Sequence, residues 1–193
     1  MRINDYFDKV IVINLDRRTD RMERLDVQLT ELGIEYERFS AIDGKALGIS
    51  PVEAGKLSHL EVLKGLNGQK VLILEDDALF INGFQERFDA EMESLPEDWD
   101  VFYLGALTGK HTGKLIKKNE HWSQQVVSTG MQAYCVNPNK VDFFIEEVAK
   151  YEGYIDVCFR ILATQSKAYI VQPSLVVQFP SYSDLREMEV NDF

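Results

Sequence analysis

The chain of 193 residues holds only two cysteines, Cys135 and Cys158, and both lie among apolar neighbours. Such a pair forms neither a disulfide framework nor a metal-ligand pattern, so buried free thiols in a reducing compartment are expected. No apolar run approaches the roughly 20 residues that a membrane-spanning helix needs. Met1–Asp8 carries charge and no apolar centre, so no secretory signal is expected there. The expected location is therefore cytoplasmic, with work at a membrane face left open. Basic residues are scarce too: 21 Lys and Arg stand against 32 Asp and Glu, a formal net charge of −11. A field of that sign repels nucleic acid and anionic lipid, which excludes both as partners of the domain as a whole. It also repels an anionic nucleotide unless a divalent cation or local arginines intervene. Linkers, repeats and low-complexity segments are absent. With 45% apolar and 27% charged residues, residues 1–193 read as one folded domain.

The pattern along the chain alternates. Lys9–Leu15 is almost continuously apolar, as a strand buried on both faces would be. Thr19 or Asp20 is placed to cap a helix whose Met22, Leu25, Leu29 and Leu32 recur at spacings of three and four. A strand over Tyr36–Phe39 and a turn at Asp43-Gly44 follow. Ser50-Pro51-Val52-Glu53 is a capping box with proline at the first helical position, predicting a helix to about Leu66. Val71–Leu74 reads as a second buried strand, Phe84–Glu93 as a helix, and Asp100–Leu104 as a third strand. Alternation of this kind argues for an α/β fold with a largely parallel, Rossmann-type sheet. Beyond it, Gly105–Gln125 shows no period and reads as loop or hairpin, and Val126–Val136 as extended. Asn137-Pro138 opens a further helix, Ile155–Ala163 forms another, and Tyr169–Val171 and Val176–Gln178 read as strands.

Three carboxylates in a row, Glu75-Asp76-Asp77, stand directly after Val-Leu-Ile-Leu. If the strand continues through them, Glu75 and Asp77 face one side and Asp76 the other. Ligands of open α/β sheets bind beyond the carboxyl ends of the strands. Two carboxylates there suit Mn²⁺ or Mg²⁺, which take hard oxygen ligands and share them with phosphates. The plain alternative is a solvated acidic turn. A second constellation, Asn14–Arg21, brings Arg17, Arg18 and Arg21 to a strand-to-helix corner, where guanidinium groups and helix amides suit phosphate. Surface pairing with neighbouring acids is the alternative there.

Ile13–Arg21, Phe39–Gly44, Leu57-Ser58-His59 and Leu72–Ala78, taken in order, resemble glycosyltransferase family 25. Asp98-Trp99-Asp100, Tyr103–Gly105, Thr129-Gly130, Ala133-Tyr134, Ile155-Asp156, Pro173–Leu175, Gln178 and Ser183-Asp184 extend the likeness. The family contains lipopolysaccharide galactosyltransferases and collagen hydroxylysine galactosyltransferases. The resemblance implies a GT-A-like fold, a UDP-sugar donor, a manganese-type metal and inversion at the anomeric carbon. It assigns Glu75 and Asp77 to the metal and puts Asp76, Asn14, Arg18 and Arg21 near the nucleotide, with Asp43, Gly44 and Ser58 beside the donor. Residues 1–105 would then form the nucleotide-sugar half and 106–193 the acceptor half. The acceptor would be a glycan, a lipid-linked sugar or a protein hydroxyl. Leu107–Gln124 departs from the pattern.

An inverting transfer needs one general base for the acceptor hydroxyl. Asp156, a lone acid among apolar residues, is the choice, with a helix-cap role as its alternative. His59, inside the capped helix, is a second catalytic candidate, or else a satisfied core histidine. His111 and His121 read as surface residues. Trp122 is the better sugar-stacking candidate, and Trp99 reads as packing. Leu185–Val190 reads as a helix for a partner or a membrane surface.

Other functions demand what the chain lacks. A two-component receiver domain needs an Asp at the tip of its third strand and a late Lys-Pro pair; Val101–Leu104 ends in Gly105 and no Lys-Pro occurs. A nucleotidyltransferase needs a glycine-bearing loop after the first strand, and Asn14–Arg21 contains no glycine. A non-catalytic nucleotide-sugar or glycan-binding module remains as the rival.

Overall fold

The computed structural model describes residues 2–107, 116–124, 129–184 and 188–190. In chain order its elements are α1 (Ile3–Tyr6), β1 (Lys9–Asn14), α2 (Thr19–Glu31), β2 (Glu37–Ser40), α3 (Gly44–Leu47) and α4 (Pro51–Lys64). Next come β3 (Val71–Glu75), β4 (Ala78–Phe80), α5 (Phe84–Glu93), β5 (Val101–Leu107), β6 (Ile116–Lys117) and β7 (Trp122–Gln124). The chain ends with β8 (Thr129–Val136), α6 (Val141–Lys150), α7 (Ile155–Leu162), β9 (Ala168–Val171), β10 (Val176–Gln178), β11 (Ser181–Ser183) and β12 (Met188–Val190).

Eight strands form one sheet in the order β2-β1-β3-β8-β5-β9-β7-β6. β1 pairs parallel with β2 and β3, and β5 parallel with β9. β8 is antiparallel to both β3 and β5, and β7 to both β9 and β6. Only β7 and β8 therefore run against the other six, and the α/β, GT-A-like expectation of a mostly parallel sheet flanked by helices is met. Within this mostly parallel sheet, β8 is wedged antiparallel between β3 and β5. Its residues Met131–Val136 are all buried, as in a parallel strand. A strand covered on both faces is apolar throughout whichever way it runs, so hydrophobicity alone cannot reveal its direction.

Alternation along the strands feeds two cores. Val10, Val12, Leu72, Leu74, Phe102 and Leu104 face α2 and α5, packing with Leu25, Leu29, Phe84 and Phe88. Ile13, Ile73, Tyr103 and Tyr134 face α4, α6 and α7, packing with Leu63, Phe144 and Phe159. Both cysteines are buried free thiols, and burial pushes the Cys158 thiol up to about 11. Among the described residues no helix is long and apolar enough to cross a membrane.

Two glycines are fixed by close backbone approach. A Cβ on Gly105 would lie 2.0 Å from the Val176 carbonyl oxygen, where β10 crosses the irregular part of β5. One on Gly44 would lie 2.8 Å from the Ile49 carbonyl oxygen.

Several local expectations change. α2 begins at Thr19 with Arg18 as its cap residue and no side-chain cap, because Asp20 pairs with Arg18 at 2.8 Å instead. Ser50 caps α4 by accepting from the Glu53 N–H at 3.1 Å, while the Glu53 carboxylate pairs with Lys56 at 2.9 Å. Trp122 is no sugar platform. It is fully buried, its indole N–H donates to the Glu91 carbonyl at 2.7 Å, and its ring stands edge-on to Phe102. The β6–β7 hairpin folds onto β9 and carries this residue into the core. Trp99 packs against Phe102. His121 lies 3.1 Å from the buried Glu91 carboxylate rather than standing free at the surface. Of the expected C-terminal helix, Met188–Val190 is instead a strand paired with Ser181–Ser183. Residues 185–187, 126–128 and His111 lie outside the described residues.

Candidate active site

The carboxyl ends of β1 and β3, the N-terminal half of α4, and the starts of β8 and α7 surround one cleft. Arg21, Asp43, Gly44, Ser58, His59, Glu75, Asp76, Asp77 and Asp156 all line it. Asn14 lies behind the lining and Arg18 outside it. Arg17, one of the three arginines expected at the phosphate corner, lines the cleft, and so do Lys56, Gln132, Gln178 and Asp184, to which no role was assigned from sequence.

The triplet does not continue the strand. β3 ends at Glu75, and Asp76-Asp77 form a turn into β4, so the expected alternation stops and all three carboxylates reach the same cleft. Their environments differ. Asp76 is satisfied at both oxygens: Asn14 donates to Oδ2 at 2.8 Å and Arg21 to Oδ1 at 2.6 Å. Asp77 receives one hydrogen bond, from the Gln178 amide to Oδ2 at 2.9 Å. Its Oδ1 is buried and has no hydrogen-bond partner among the described residues. Burial, and after it the charge of Glu75, pushes the Asp77 carboxyl up to about 7. Bringing a carboxylate out of water beside another one penalises its charged form.

Glu75 sits at the end of a short relay. The Tyr134 hydroxyl and His59 Nδ1 are 2.8 Å apart, and His59 Nε2 is 3.4 Å from Glu75 Oε1. Burial, then the Glu75 charge, raises the Tyr134 hydroxyl well above its ordinary value, so it stays protonated. In the tautomer whose Nδ1 accepts from the Tyr134 hydroxyl, the imidazole proton is on Nε2 and points at Glu75. His59 is thus a satisfied histidine that also faces the cleft. Ser58 is committed to architecture: its hydroxyl donates to the Ala54 carbonyl at 2.8 Å and accepts from the Ile42 N–H at 2.9 Å, fastening the 41–43 loop to α4.

The β1–α2 corner is a lattice of ion pairs. Arg17 bonds Asp43 at 2.9 Å and Asp184 at 2.6 Å, and Arg18 also bonds Asp184. Burial alone would raise the Asp184 carboxyl, but the hydrogen bonds from Arg17 and Arg18 prevail and lower it. Asp43 also caps α3, accepting from the Lys45 N–H at 2.9 Å, and the Arg17 hydrogen bond holds its carboxyl below the ordinary value.

On the opposite wall, Asp156 is the second residue of α7, not its cap; Tyr154 holds that position. Its Oδ1 accepts from the Val157 N–H at 2.8 Å and its Oδ2 from the Gly130 N–H at 3.4 Å. Asp156 is half-buried at the cleft edge, positioned by backbone amides and open to a ligand.

Among the described residues no group of three or more His, Cys, Asp and Glu side chains forms a self-sufficient metal cage. Mg²⁺ and Mn²⁺ do not require one; they are ordinarily held by one or two carboxylates together with substrate phosphates and waters. A buried, unpartnered carboxylate oxygen with a second carboxylate nearby meets that lesser demand.

The comparisons with known proteins agree with the motif reading. Residues 7–59 match a family described as "Glycosyltransferase family 25 (LPS biosynthesis protein)", a stretch that ends before the acidic triplet. Procollagen galactosyltransferase 2 of Mus musculus is 31% identical over 129 residues, covering 51% of this chain and 21% of that protein. Inactive glycosyltransferase 25 family member 3 of Homo sapiens is 30% identical over 129 residues, covering 51% of this chain and 22% of that protein. The chain thus spans about a fifth of the length of these curated relatives. A solved structure titled "Crystal Structure of A197 from STIV" shares the fold, with a TM-score of 0.50 at 15% identity, covering 100% of this chain and 96% of that one. The resemblance to glycosyltransferase family 25 therefore holds, for a chain whose relatives include both galactosyltransferases and a member described as inactive.

Proposed function

We propose that the chain is an inverting hexosyltransferase that moves a hexose, galactose first, from a UDP-sugar to a hydroxyl of a glycan, a lipid-linked sugar or a protein. The observation that carries this reading is the Asp77 carboxylate, buried with one oxygen unpartnered among the described residues and with Glu75 close enough to raise its pKa. Such an arrangement is costly for the empty protein and becomes favourable when a cation and its phosphate ligands arrive. Glu75 and Asp77 would hold Mn²⁺ or Mg²⁺, which when bound supplies charge stabilisation to the departing diphosphate. Galactose comes first because the relatives named above include a galactosyltransferase.

The protein's own residues divide the remaining work. Asn14 and Arg21 fix Asp76, and through it the turn that presents Asp77. Arg17, on the cleft lining, offers a guanidinium to the nucleotide diphosphate by exchanging its carboxylate partners. The Tyr134–His59–Glu75 relay orients Glu75. Asp156 accepts the proton of the acceptor hydroxyl as its oxygen attacks the anomeric carbon from the side opposite the departing UDP.

The test is a thermal-shift and UDP-release screen over UDP-sugars, with and without Mn²⁺, on the wild type and Asp77→Ala. One UDP-sugar should raise Tm only with Mn²⁺ and Asp77 both present, and should slowly release UDP. No response to any UDP-sugar would overturn the reading. The relative described as inactive supports one rival, a binding module of the same fold; it predicts the same stabilisation with no UDP release in the presence of any acceptor.

A further inference from the structure

Gln132 is 1% exposed, lines the cleft, and its Oε1 has no hydrogen-bond partner among the described residues. Among the described residues of the cleft lining, Gln132 and Asp77 each keep a buried side-chain oxygen without a hydrogen-bond partner. Leaving a buried carboxamide oxygen unbonded forfeits its hydration without return, and natural interiors rarely tolerate such groups without a use for them. The choice of which end of the amide is oxygen does not alter the point, since a carboxamide offers both an acceptor and donors.

Its place in the sheet narrows what it meets. Ala133 pairs with Leu74 across the β3–β8 ladder, so one step along each strand puts Gln132 beside Glu75. Gln132 shares the strand face of Tyr134, which reaches His59, and lies two residues from Gly130, whose N–H bonds Asp156. The amide therefore belongs to the same cleft lining as the Glu75 and Asp77 carboxylates and Asp156. A phosphate in that position would call for a cation, and an apolar group would leave the amide unpaired. A neutral hydroxyl that donates and accepts complements it.

We infer that Gln132 is a specificity-determining residue, reading a hydroxyl of the transferred sugar where that sugar lies between the diphosphate and the base. The inference rests on the donor reading above. A site built to hydrogen-bond a hydroxyl discriminates against ligands that cannot supply one there more strongly than an apolar pocket does.

The test is titration calorimetry of wild type and Gln132→Leu with UDP, UDP-galactose and UDP-glucose in Mn²⁺, plus Tm without ligand. UDP affinity should stay within about twofold. Affinity for the preferred UDP-hexose should fall about 10- to 100-fold, the range for losing one to two hydrogen bonds to a ligand. The preference between the two epimers should shrink with it. The ligand-free variant should melt no lower than the wild type, because an unpaired buried polar group is replaced by an apolar one. Unchanged UDP-hexose affinity, or an equal fall for UDP and UDP-hexose, would overturn the assignment while leaving the donor site intact. Wild-type protein that binds no UDP-sugar would overturn the donor reading, and this inference with it.

Discussion

Two regions of the same cleft treat charge in opposite ways. At the β1–α2 corner Asp16, Asp20, Asp43, Asp76 and Asp184 are each held by an arginine. On the floor, at the ends of β3 and β8, Asp77 lies 3.8 Å from Arg21 without a hydrogen bond to it, Asp77 and Gln132 each keep a buried oxygen without a hydrogen-bond partner among the described residues, and Glu75 faces the His59 imidazole. The corner explains how a strongly acidic chain keeps its shape around a cleft. The floor is what a ligand must complete. Polar groups satisfied by the protein build the site, and those left unsatisfied mark what it binds.

The contrast breaks most readily at Arg21, which bonds Asp76 at 2.6 Å and lies 3.8 Å from Asp77. Arg21→Met leaves Asp76 buried without its main partner and should cost about 3–5 kcal/mol. For a chain of this size that lowers Tm by about 2–4 °C per kcal/mol. Asp76→Asn added to Arg21→Met should recover part of the loss, which a double-mutant cycle by denaturant unfolding would measure.

The floor should respond in the opposite direction. Asp77→Asn removes a charge that burial disfavours, so the ligand-free variant should melt higher than wild type at pH 8 while losing Mn²⁺-dependent UDP-sugar binding. The difference should depend on pH. The Asp77 carboxyl rises from an ordinary 3.8 to about 7 in the folded state, so the folded protein binds the extra proton between those values. Its stability relative to Asp77→Asn should fall as pH rises through that window and level off above it. Scans from pH 4 to 8 without divalent cation would show this, and a difference independent of pH would remove the special status of Asp77.

The smallest effect belongs to the outer corner. Arg17 is 38% exposed and its partner Asp184 is 14% exposed, and pairs of this kind contribute about 0–1 kcal/mol. Asp184→Asn should lower Tm by no more than a few degrees at neutral pH. The loss should vanish as pH falls below the ordinary carboxylate range, where the wild-type pair is broken too. Since the variant removes one of the two carboxylate partners of Arg17 and leaves Asp43, UDP affinity should hold or rise.

Part of the contrast could be read in the sequence, because two of its clusters, Asn14–Arg21 and Glu75–Asp77, are each contiguous in the chain. Asn14, Arg21 and the acidic triplet follow apolar strands, and strand ends of α/β sheets converge on ligand sites. The order of apolar runs likewise gave most helices and strands within a residue or two. Other features depend on where distant segments land. Arg17 rather than Arg18 lines the cleft because of how the chain turns into α2. Asp76 shares the cleft with its neighbours because a turn replaces the last strand residues. Gln132 had one visible signal, a lone amide in the apolar run Met131–Val136, but its meaning required β8 to fall between β3 and β5. Trp122 was misread because an aromatic in a polar stretch looks exposed until a hairpin folds over it.

The most direct measurement is Mn²⁺ binding followed by electron paramagnetic resonance, with and without UDP, on wild type and Asp77→Asn. The account predicts that wild-type protein binds Mn²⁺ weakly alone and at least tenfold more tightly with UDP, and that Asp77→Asn loses this gain while remaining folded. Mn²⁺ binding that ignores UDP, or that survives in Asp77→Asn unchanged, would contradict it.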